Sequence, residues 1–162
     1  MKALLFFIVF CFFTACQDRH HEVSQMQKQI DSLQHRLDES YTPGLGEFMS
    51  SIQVHHAKLW FSGINRNWKL AEFELVEIQE SLDDIKKFIT DRPEVKSIEM
   101  INPTLENLTK AIQAKNIEGF KSGYELLTNT CNKCHMDTAH EFNLITAPTS
   151  PPFSNQRFTL AQ

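Results

Sequence analysis

Apolar residues recur at intervals of three and four along most of the chain. That is the period of an α-helix with one face turned from water. The clearest run is Trp68, Ala71, Leu75, Ile78, Leu82, Ile85 and Ile89. Before it, Phe48, Met49, Ile52, Leu59 and Trp60 form a broad stripe between Gly46 and Phe61. After it, Leu105, Leu108 and Ile112 mark a third helix, and Ile117, Phe120, Tyr124, Leu127, Cys131 and Cys134 a fourth. The breaks agree with this reading. Gly63 to Asn67 is a turn, and Asp91-Arg92-Pro93 ends the second helix. A short helical turn covers Val95 to Ile101. Asn102-Pro103 reads as an N-cap with proline at the first helical position, and Asn116 caps the fourth helix. These elements predict an all-α fold, an antiparallel four-helix bundle.

The pattern changes upstream of Tyr41-Thr42-Pro43-Gly44-Leu45-Gly46, where proline and two glycines set a boundary. Val23, Met26, Ile30, Leu33 and Leu37 follow a heptad spacing, a short coiled-coil seam. At about two heptads it is too short to be stable alone. It either dimerises as a stalk or lies against the domain. His35 falls off the seam, toward solvent. Gln17 to Glu22, including His20 and His21, reads as a polar tether. Residues 1–15 are different again. Lys2 is followed by an almost wholly apolar run from Ala3 to Phe13, shorter than the roughly 20 residues of a membrane-spanning helix. It reads as a secretory signal. The expected organisation is therefore a leader over 1–15, a tether and coiled coil over 16–40, and a helical domain over 41–162 with a Pro-rich tail.

Composition narrows the class. The chain has 162 residues, 22% of them charged, and a net charge of −4. That becomes −5 without Lys2, with 15 basic against 20 acidic residues. A mildly acidic protein is a poor nucleic-acid binder. Glu72, Glu74, Glu77, Glu80, Asp83 and Asp84 mostly lie off the second helix's seam. They read as a solvated face, or as a docking surface for a basic redox partner.

The chemistry lies in Cys131-Asn132-Lys133-Cys134-His135, a Cys-x-x-Cys-His sequence, the attachment signature of a c-type haem. Two thiols one helical turn apart can add to the two vinyl groups of one porphyrin edge, and the next imidazole can bind the iron. Both cysteines continue the apolar face of the fourth helix, so the cofactor would be fixed against the bundle interior. A zinc site recruiting Cys131, Cys134, His135 and His140 is a second reading, though zinc knuckles usually bring another Cys or His pair. A dithiol redox pair is a third, but no βαβ pattern accompanies it.

The cysteine count fits haem. Phe13-Thr14-Ala15-Cys16 resembles a bacterial lipobox, which implies that Cys16 is acylated and anchors the protein in the cell envelope. Cys11 leaves with the leader, and the last two cysteines take haem, one per chain. Haem c is attached outside the bacterial cytoplasm, so leader and motif imply one compartment. His56, His55 and Met49 on the first helix are candidates for the far side of the iron. His140 and Arg157 are weaker candidates for haem or propionate contacts. Gly119 and Gly123 point to a close neighbour, either another helix or the porphyrin. The tail, with Pro148, Pro151, Pro152, Phe153 and Phe158, is expected to fold back over the haem edge.

Four helices with Cys-x-x-Cys-His near the end of the last resemble the cytochrome c-prime family over about residues 45–140. Only Cys131, Cys134 and His135 match a specific motif; the remainder is architecture. The resemblance implies a haem near one end of the bundle, with its distal face approached from the first helix. It also implies binding of nitric oxide or carbon monoxide when the iron is five-coordinate. The paired His55 and His56 and the long tail depart from that pattern. The expected function is a membrane-anchored electron carrier. A gas-binding or gas-sensing module and a zinc-binding lipoprotein are the alternatives. No general base, nucleophile or distal Arg/His pair marks the chain as an enzyme.

Overall fold

The computed structural model describes residues 2–40 and 43–160, with side chains described over 20–39 and 43–160. Every regular element among the described residues is helical. The chain divides into two units, Met1–Thr42 and Pro43–Gln162.

The first unit is one helix, α1, Lys2–Ser40. The stretch read as a tether, Gln17 to Glu22, is helical, because it holds no proline or glycine to stop the run. The seam residues Val23, Met26, Ile30 and Leu33 are exposed. His35 faces solvent and pairs with Glu39 one turn on, at 3.3 Å. The side chains of residues 2–19 lie outside those described, and with them the expected acylation site Cys16. Among the described residues no helix is long and apolar enough to cross a membrane.

The second unit contains α2 (Leu45–Ile64), α3 (Trp68–Phe88), α4 (Asn102–Gln113) and α5 (Ile117–Asp137), with a 3-10 segment over Pro93–Ile101. In the α2–α3 turn Arg66 takes a left-handed backbone, with φ 57°. Asn67 then caps α3 by accepting from Leu70 N at 3.4 Å. Asn116 caps α5 in the same way, from Gly119 N at 3.1 Å. Asn102 does not cap α4. The 3-10 segment runs straight into it, and Ile101 already has helical angles, φ −81° and ψ −26°. The Asn102 side chain is left with a buried Oδ1 that has no partner.

The helices close a ring of contacts: α2 on α3, α3 on α4, α4 on α5, and α5 back on α2. Leu59, Ala71, Ile78, Leu82, Ile85, Ile98, Leu108, Phe120, Tyr124 and Leu127 fill the centre and are fully or almost fully buried. Each large side chain there contributes about 1.5–3 kcal/mol through burial. Helix positions are set by close approaches as well as by seams. A Cβ on Gly63 would fall within the ring of Phe120 from α5. The close neighbours of Gly119 and Gly123 are side chains around the α4–α5 junction. A Cβ on Gly123 would lie 3.0 Å from Leu108 Cδ2.

The tail packs on this body. Phe158 is buried beside Phe61, with ring centroids 5.7 Å apart. Phe153 lies under Lys58 Nζ at 5.5 Å.

Candidate functional site

The site forms where the C-terminal turns of α5 meet the N-terminal half of α2. Helical spacing puts Cys131 and Cys134 on the inner face of α5, one turn apart. They line a cavity of about 300 Å³ together with His135, Met49, His56, Ile52, Leu82, Ile98 and Ile101. A second cavity of about 210 Å³ is lined by Met49, Cys134, His135, His140, Arg92 and Glu94. Met49, Cys134 and His135 therefore belong to the walls of both.

The tail closes over this end of α5 through two contacts that no sequence pattern announced. Asn132, between the two cysteines on α5, donates from Nδ2 to Ile145 O at 2.8 Å. Its Oδ1 accepts from Ile145 N at 2.7 Å. The side-chain amide thus pairs with the backbone as a neighbouring strand would. Two residues earlier, Asn143 O lies 2.6 Å from Nδ1 of His135. A carbonyl can only accept, so the imidazole carries its proton on Nδ1. In the neutral ring the lone pair is then on Nε2, the arrangement found where a histidine ligates a metal. Asn143 and Ile145 themselves line the larger cavity.

The three distal candidates are not equivalent. Met49 lines both cavities. His56 is buried and lines the larger one. Its bonding can be solved. Thr128 Oγ1 donates its single proton to Tyr124 O at 2.9 Å. It must therefore accept from His56, whose Nε2 is 2.9 Å away. Nδ1 then carries the ring's lone pair, 2.9 Å from Tyr124 Oη, whose one proton is shared between it and His56 O at 3.1 Å. Both nitrogens are taken, and the ring stacks on Tyr124 at 4.5 Å. Burial lowers the His56 pKa from the usual 6.5 to about 4. His55 is not on the cavity. One residue round the helix, it turns to α3, where Nδ1 meets Glu74 Oε2 at 2.7 Å and Nε2 lies 3.9 Å from Glu77. Glu74 is fully buried, not part of a solvated acidic face. Lys58 Nζ stands 3.8 Å from its other oxygen.

His140 lines the smaller cavity. Its Nδ1 donates to Thr138 O at 2.7 Å, and Nε2 is 4.0 Å from Glu94. Arg157, in the tail, is exposed. Arg92 is the arginine that reaches the smaller cavity wall, at the end of the α3 connection. Sequence had marked it only as a helix breaker.

Burial pushes the Cys131 thiol up to about 12, with a smaller contribution from Cys134. Cys134 is raised too, by burial first and then by Asp137 and Glu94. A reactive dithiol needs a lowered pKa, so these sulfurs are poorly placed for disulfide exchange. Among the described residues no three His, Cys, Asp or Glu side chains are grouped to hold a metal ion. A bare zinc ion needs about four protein ligands. An iron porphyrin brings four nitrogens of its own and asks the protein for one axial group. The donor set present, two thiols and one imidazole with a free Nε2 on an apolar cavity, fits that second demand. Compared with known proteins, the chain matches no family, no curated protein and no solved structure.

Proposed function

We propose that the chain is a c-type cytochrome, leashed to the bacterial cell envelope by an acylated Cys16, that carries single electrons. One observation carries the reading. The histidine of Cys131-x-x-Cys134-His135 has its Nδ1 committed to Asn143 O and its Nε2 left for iron, on a cavity walled by both cysteines. Cys131 and Cys134 would each add S–H across one vinyl group, sulfur to one carbon and hydrogen to the other. His135 would be the proximal ligand. Ile52, Leu82, Ile98 and Ile101 would exclude water from the ring. Arg92, on the wall of the smaller cavity, would be the cation to pair with a propionate. A haem bound there supplies an iron that alternates between ferrous and ferric states, at a potential tuned by its axial ligands.

Met49 would be the distal ligand with least to give up, since it lines the cavity without a hydrogen bond to surrender. His56 would have to give up both Tyr124 and Thr128. The same fact supports a second reading, a gas-binding module. If Met49 stays off the iron, the sixth position is open beside an imidazole that is already engaged. The resemblance to the cytochrome c-prime family points the same way.

The test is spectroscopic. The chain, produced in a host with haem-attachment machinery, should show the ferrous haemochrome of a c-type haem in alkaline pyridine. Absence of that band would end both readings. Rapid carbon monoxide binding by the ferrous protein would favour the gas module, and a spectrum unmoved by the gas would favour the carrier.

A further inference from the structure

The α1 seam bears on assembly rather than on the haem site. Val23, Met26, Ile30 and Leu33 each leave 54–60% of their surface open. Placing Val23 at heptad position a puts Ile30 and Leu37 at the next two a positions, with Met26 and Leu33 at d. Val23 and Ile30 at a with Leu33 at d are the choices that favour a two-stranded parallel coiled coil. The flanks carry few charges, with Glu22 and Arg36 at the outer g positions. Gln27 and Gln34 occupy e, and Gln29 the g between them. Gln27 donates forward to Asp31 at 2.8 Å and Gln34 to Asp38 at 3.1 Å. The carboxylates thus stay on the outer face, and the facing g–e pairs, Glu22 with Gln27 and Gln29 with Gln34, set no like charges together. This seam is complementary to itself.

We propose that a second copy of this chain covers the seam, in parallel and in register, so that the assembled protein presents two Cys-x-x-Cys-His domains. The parallel direction rests on the lipid anchor of the functional reading, which makes both copies leave one membrane the same way. Two heptads are weak in dilute solution. Confinement to a membrane raises the effective concentration enough to matter.

The experiment uses the full chain in the membranes of the producing cell. Single cysteines are introduced at Met26→Cys, Leu33→Cys and, on the outer face, His35→Cys, and the membranes are oxidised. Most of the chain should run at twice its mass, reversibly by reductant, for Met26→Cys and Leu33→Cys but not for His35→Cys. An antiparallel pair centred on Ile30 would hold the two introduced sulfurs at position 26 about 12 Å apart and leave that variant uncrosslinked. Monomer at both seam positions, or equal crosslinking at His35→Cys, would overturn the proposal. Haem content is read on the same samples. A colourless protein that still crosslinks would cost the cytochrome reading alone, and a coloured protein that does not would cost the dimer alone.

Discussion

Nδ1 of His135 sits 2.6 Å from the carbonyl oxygen of Asn143, a residue of the tail. That bond decides which nitrogen is available, and it depends on where the tail lies. Asn132 holds the tail in place by its paired bonds to Ile145. Asn132→Ala should free the 143–145 segment. The expected signs are faster amide exchange at Ile145 and a stability loss of about 1–2 kcal/mol for two partly exposed hydrogen bonds. Haem should still attach, because both thiols and the imidazole remain. Unchanged exchange at Ile145 would show that the strap is held elsewhere.

His56 gives a pH dependence with a definite sign. Its pKa falls from 6.5 unfolded to about 4 folded. Between those values the unfolded chain takes up a proton and the folded chain does not. The stability this histidine contributes is therefore complete above pH 6.5. It declines by at most about 1.4 kcal/mol per pH unit on acidification, and levels off below 4. Urea unfolding of wild type and His56→Gln at pH 7.5, 5.5 and 4 should show the gap between them narrowing with acid. A gap that stays constant would mean that His56 takes up its proton at the same pH in the folded and unfolded chain.

His55 and the buried Glu74 pair between α2 and α3, off the cavity. His55→Ala leaves Glu74 with Lys58 alone, at 3.8 Å. A loss of about 1–3 kcal/mol is expected for a buried carboxylate deprived of its main partner. If haem is bound as proposed, its optical spectrum should not move. Met49→Ala should move it if the sixth position is filled. A spectral change in His55→Ala would reverse the assignment of that histidine to α3.

Gly63 is fixed by the Phe120 ring. Gly63→Ala should cost about 1–3 kcal/mol through overpacking, read as a lower Tm. Gly46→Ala, where nothing lies within 4 Å of the added Cβ, should be neutral or slightly stabilising. Equal effects at the two positions would contradict the packing described.

Which parts of this were readable in advance follows from how each residue is held. The seams of α2, α3 and α5 were visible because burial follows helical period, and Asn116 was visible because a cap has a side-chain signature. Spacing put His56 on the core side, four residues after Ile52 and three before Leu59, but left His55 nearly as well placed. Adjacent residues on a broad apolar face differ by 100° of rotation, and only the partners on α3 and α5 decide which is turned inward. Glu74 looked solvated because its burial depends on His55 and Lys58, distant in sequence. Asn102 looked like a cap because nothing in the sequence shows the 3-10 segment continuing into α4. The hold of Asn143 on His135 was invisible for a simpler reason: any residue supplies a carbonyl.

The central claim is a covalent bond between porphyrin and α5, and intact mass tests it most directly. Protein matured in a haem-attaching host should weigh its polypeptide and lipid plus one haem, and the extra mass should survive denaturation. Cys131→Ala with Cys134→Ala should lose it. A wild-type chain carrying no added haem mass would contradict the account.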